Sequence, residues 1–137
     1  MTNDQELRRN WRTNWLSSVR EFADDETQRR VWLDPFNANP HNTFVEYMCC
    51  YFDDLALSDG GYTRAVEQGL LSEHEAEAVA DFHRKAAAYH SPTDDYDNQA
   101  ILADPNWAEV VTAAQNAQAT LLKSIEDPPE RRYLMGA

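Results

Sequence analysis

Apolar residues recur at intervals of three and four through most of this chain, and no stretch sustains the two-residue alternation of a half-buried strand. That spacing restricts the chain to helices that each bury one stripe. In the first segment Leu7, Trp11, Trp15, Val19 and Phe22 step by four or three, which predicts a helix of about five turns with the arginines and Glu21 facing out. Asp24-Asp25-Glu26 interrupts the pattern, and a short continuation through Val31, Trp32 and Leu33 fits before Asp34-Pro35 stops it.

An Asp or Asn precedes proline at Asp34-Pro35, Asn39-Pro40, Asp104-Pro105 and Asp127-Pro128. Such pairs suit helix starts, because the Asx side chain caps free N–H groups and proline at the first helical position forfeits no hydrogen bond. Asn39-Pro40 is read as opening a helix through Leu57, with Phe44, Met48, Tyr51, Phe52 and Leu55 inward. Asp104-Pro105 is read as opening one through Ile125, with Trp107, Val110, Val111, Ala114, Leu121 and Ile125 inward. Between them, Ser58-Asp59-Gly60-Gly61 is a loop, Tyr62 to Gln68 forms two turns ending at Gly69, and Ser72-Glu73-His74-Glu75 is a capping box. The helix it opens runs to His90 with Val79, Phe82, Ala86 and Tyr89 inward. Residues 93–103 read as a polar loop anchored by Ile101 and Leu102, and the tail from Pro128 orders only if Tyr133, Leu134 and Met135 find a groove. The expected fold is all-α: an irregular or orthogonal bundle of about five helices in a single domain over residues 1–137, with 128–137 loosely packed.

Twelve Lys and Arg against twenty-four Asp and Glu leave a net charge of −12. Residues 1–31 hold six basic and six acidic residues and balance, whereas residues 32–127 hold four basic and seventeen acidic and carry −13. Such a surface repels phosphate, so neither direct nucleic-acid nor membrane binding is expected. The N-terminal MTNDQELRRNW lacks an apolar signal core, and a cytoplasmic location is expected.

The chemistry-bearing residues each have a bland reading beside the functional one. Cys49 and Cys50 are adjacent, so they point in different directions from a helix and cannot clamp one metal. With the core of their helix centred on Met48 and Leu55, Cys49 falls at its edge and Cys50 almost opposite; carboxylates nearby disfavour a thiolate. His74-Glu75 begins an H-E-x-x-H pattern whose fifth position is Ala78, and His83 and His90 stand two turns apart. A bundle-interior metal site would need Glu46, Asp53 and Asp54 to meet Glu77, Asp81 or His83 across an interface. The run Asp94 to Asp97 fails the EF-hand template, with Ala100 at the glycine position and Asn106 at the bidentate glutamate position. Nucleophile elbows and glycine-rich phosphate loops are absent from the sequence, and no cofactor is expected.

What remains is acidic residues interleaved with tyrosines. The expectation is a small acidic protein that neutralises a basic protein partner, as immunity proteins and antitoxins do, with Glu46, Asp53, Asp54, Asp94, Asp95 and Asp97 steering it and Tyr47, Tyr51 and Tyr96 anchoring it. The alternatives are the metal-dependent enzyme just outlined and an oligomeric helical module using the Trp11, Trp15 and Trp32 region.

Overall fold

A computed structural model describes residues 2–36, 43–58 and 61–136. Eight helices, and no strand, occur among them: α1 (Thr2–Ala23), α2 (Asp25–Trp32), α3 (Phe44–Phe52), α4 (Tyr62–Glu67), α5 (Glu73–Ala88), α6 (Asn98–Ala103), α7 (Pro105–Ser124) and α8 (Pro128–Met135). None is long and apolar enough to cross a membrane among the described residues.

α1 and α5 both pack on α7, α8 lies against α1 and α7, α3 against α1, α6 against α2 and α7, and α4 against α5. The expected inward faces of α5 and α7 are the buried ones, from Val79 to Tyr89 and from Trp107 to Ile125. Their ends follow the predicted chemistry. Ser72 and Glu75 close the capping box reciprocally, and Asp104 accepts from the Asn106 N–H ahead of the Pro105 start.

Other expectations are met in part or need correction. The short continuation past Asp24 forms a separate helix, α2, whose start the Asp24 carboxylate caps by accepting from the Thr27 N–H at 3.0 Å. Buried Gln28 then donates to the Glu21 and Phe22 carbonyls at the end of α1 while its oxygen accepts from Trp107 Nε1 at 3.0 Å. The loop 93–103 contains α6, capped by Asp97, and the tail forms α8, capped by Asp127. Only Leu134 of the three tail apolars is buried; Tyr133 and Met135 are exposed. Leu7, expected inward, is 65% exposed, so the α1 stripe sinks into the core from Trp11 onward.

The largest difference is at α3. The expected start at Asn39-Pro40 lies outside the described residues; the helix itself begins at Phe44, with extended Thr43 accepting from the Glu46 N–H. It ends at Phe52 in a wide turn, where Leu57 N–H reaches Phe52 O, Ala56 N–H reaches Asp53 O, and Ala56 sits at φ +57°. This is a Schellman arrangement with alanine in the position that glycine usually fills. Trp11 Nε1 donates to the Leu55 carbonyl at 3.1 Å and satisfies that end from α1. Its buried residues are Phe44, Tyr47 and Tyr51, and Met48, expected at the centre of the inward face, is only partly buried.

An aromatic cluster fills the centre. Phe22 touches Tyr47, Tyr51, Phe82 and Trp107 at ring-centroid distances of 5.2–6.1 Å, and Trp32, Phe44 and Tyr89 close around Trp107. Most of these pairs are tilted or edge-on, the geometry that aromatic quadrupoles favour.

Candidate functional site

Two polar constructions interrupt this core. The first is centred on Arg12, on α1. Its guanidinium makes a bidentate pair with Glu75 on α5 (3.0 and 2.7 Å), a second with Glu130 on α8 (2.7 and 3.1 Å), and a bond to the Leu70 carbonyl at 3.1 Å. All five N–H donors are used. Burial works against the Arg12 charge, but the hydrogen bonds to Glu75 and Glu130 outweigh it and raise its pKa. Burial likewise pushes the Glu75 carboxyl up, yet the bonds from Arg12 and Ser72 bring it below its ordinary value. Glu75 therefore serves both as the cap of α5 and as the partner of α1.

The second construction is a chain of hydrogen bonds. Trp15 Nε1 donates to the Tyr62 hydroxyl at 3.0 Å, the Tyr62 and Tyr51 hydroxyls lie 2.5 Å apart, and the Tyr51 hydroxyl lies 2.8 Å from His83 Nδ1. Counting protons fixes its direction. Indole can only donate, so Tyr62 accepts from Trp15 and passes its own proton to Tyr51, which donates to Nδ1. The reverse order would leave the buried Tyr62 proton without an acceptor among the described residues. His83 is therefore neutral with its proton on Nε2, in keeping with burial lowering its pKa. Metal ligation through Nε2 would move that proton to Nδ1 and break the chain.

Gly61 makes this geometry accessible. At φ +55°, ψ −132° it turns the chain so that Tyr62 enters the core at the start of α4, and a Cβ there would stand 3.1 Å from His83 Nε2. His83 lines a groove of about 750 Å³ between α4 and α5, together with Gly61, Tyr62, Thr63, Val66, Ala76 and Ala80 and with Glu67, Glu73 and Glu77. Among the described residues no lysine or arginine lines it.

The residues expected to form the binding surface are divided by the structure. Asp53, Asp54, Asp94, Asp95 and Tyr96 are exposed, Tyr96 to 81%, and Glu46 and Asp97 are partly so. Tyr47 and Tyr51, expected as anchors, are 2% and 0% exposed and cannot present contact area. Tyr47 packs on Phe22 and Trp32, and burial raises its pKa to about 12. Tyr51 is buried because Tyr62 and His83, distant in sequence, satisfy its hydroxyl. The Asp94 to Asp97 run is occupied locally: Asp94 accepts from the Tyr96 N–H, Asp95 from Ser91, and Asp97 from Thr93 and the Ala100 N–H.

The cysteines are not disulfide-bonded, and their faces are the reverse of those expected: Cys49 is exposed and Cys50 partly buried. Burial, then Asp54, pushes the Cys50 thiol up to about 11, and burial with Asp53 and Glu46 raises Cys49. Neither is activated as a nucleophile. Among the described residues no three His, Cys, Asp or Glu side chains are grouped to hold a metal ion. Trp15 and Trp32 are buried and Trp11 stacks on Trp15 at 5.6 Å, so the tryptophans do not form an exposed contact.

Sequence reading missed Arg12 and Gln28 as buried polar centres and His83 as the end of a chain. The capping box was the only available signal, since it marks Glu75 but not its second partner. No curated protein and no solved structure matches the chain. Residues 8–129 match the family described as Domain of unknown function (DUF7945), and the chain belongs to that family.

Proposed function

We propose that this protein is an acidic binding protein that covers and neutralises a basic protein partner, in the manner of immunity proteins and antitoxins. One observation carries the reading: the −13 of residues 32–127 stands largely on exposed side chains, and two of that segment's four cations, Arg84 and Lys85, are held by Asp81. The uncompensated carboxylates include Asp53, Asp54, Glu67, Glu73, Glu77, Asp94 and Asp95, with Tyr96 as an exposed aromatic among them. A surface of this kind accelerates encounter with a cationic partner and penalises acidic ones.

The test is binding to the protein encoded by the adjacent gene, measured by calorimetry with the intact chain and with Asp53→Lys/Asp54→Lys. The expected partner is basic, and reversing the two charges weakens binding by about tenfold or more. An acidic partner, or an affinity indifferent to the reversal, would overturn the reading.

A further inference from the structure

The α4–α5 groove combines three features that no single small cation would use together. Its lining is apolar at Val66 and Ala76 and carries the exposed carboxylates Glu67, Glu73 and Glu77, and His83, its Nδ1 engaged by Tyr51, lines it with Nε2 on the side of Gly61, which also lines the groove. The hydrogen-bond chain through Tyr51 fixes the imidazole proton on Nε2, so the donor is built in before any ligand arrives. Its volume, about 750 Å³, lies within the range of ligand sites. A metal ion or polyamine would satisfy the carboxylates but offer nothing to accept from Nε2–H, and an acidic ligand would be repelled by them. A peptide bearing lysine or arginine supplies cations, methylene stems for the apolar lining and a carbonyl acceptor.

We propose that the α4–α5 groove is the recognition site for an extended basic segment of the partner, with its cationic side chains on Glu67, Glu73 and Glu77 and a backbone carbonyl accepting from His83 Nε2–H. This rests on the basic-partner reading and narrows it to one surface.

The test uses the full chain and a capped lysine–alanine octapeptide, with spermine as a cation lacking carbonyls, followed by NMR of backbone amides and the His83 imidazole nitrogens. The peptide should shift amides of α4, α5 and the Nε2–H signal, whereas spermine should leave Nε2–H in place. Glu67→Gln/Glu73→Gln/Glu77→Gln should weaken the peptide by about tenfold, and Asp94→Asn/Asp95→Asn by less than about twofold. Circular dichroism of both variants confirms that they fold. Peptide binding unchanged by the triple substitution, or mapped to residues 94–97, would overturn the groove while leaving the basic-partner reading standing. An Nε2–H signal that ignores the peptide would overturn the role of His83. No binding of the peptide at low salt, together with no basic partner, would overturn both.

Discussion

Arg12 sits where an unpaired cation would be prohibitive, and its five satisfied donors are the reason it is tolerated. Removing it leaves Glu75 and Glu130 facing each other without compensation, so Arg12→Met should cost about 3–5 kcal/mol in urea denaturation, and replacing all three residues by apolar ones should recover most of that. Arg12→Lys keeps the charge but loses the planar fork, and should also be clearly destabilising. The opposite sign is expected at Ala56, whose φ of +57° costs an alanine energy that glycine avoids. Ala56→Gly should stabilise by roughly 0.5–1 kcal/mol, measured by the same denaturation, and a loss or no change would contradict strain at this position. At this scale the sequence revealed local chemistry only. Ser72 and Glu75 are three residues apart and were legible as a cap. Arg12 and Glu75 are 63 apart, and the Tyr51 hydroxyl finds His83 32 residues on, so their burial could not be read from neighbours.

Among the elements, α8 contributes more than a tail would. It supplies Glu130 to Arg12, fully buried Leu134 to the core, and the Leu134 carbonyl to Gln118 at 2.7 Å. Leu134→Ala should therefore cost about 2–4 kcal/mol, read from the shift in denaturation midpoint; a cost below 1 kcal/mol would show that α8 is only loosely attached. The elements legible in advance were α1, α5 and α7, long helices with a continuous apolar stripe, and short α4, bounded by glycines at Gly61 and Gly69. α2 was legible only as a short continuation past Asp24, and α6 and α8 were read as loop and tail, because one or two turns carry too little periodicity of their own and are ordered by packing on a neighbour. The buried face of α3 includes Tyr47 where Met48 was expected, because Tyr47 meets Phe22 and Trp32, partners from α1 and α2 that its own periodicity does not reveal.

For the whole molecule, charge and burial together set the response to pH. His83 has a lowered folded pKa, so the unfolded chain takes up a proton first and stability falls as pH drops below the ordinary value of 6.5. Glu75 is also lowered, so its contribution is present above the ordinary value of 4.5 and is lost as pH falls through its folded value. Two acid-side declines in thermal midpoint are expected, and His83→Asn should flatten the first without removing the second. The same charge asymmetry, balanced in residues 1–31 and −13 beyond them, was legible from composition alone, but the structure was needed to show which tyrosines lie beneath that surface. The most direct test of an acidic protein built for a basic partner is the salt dependence of that binding. Titrating the adjacent gene's product at low and high ionic strength should show affinity falling by about a hundredfold or more as the surface charges are screened, whereas an affinity that holds constant across the range would contradict it.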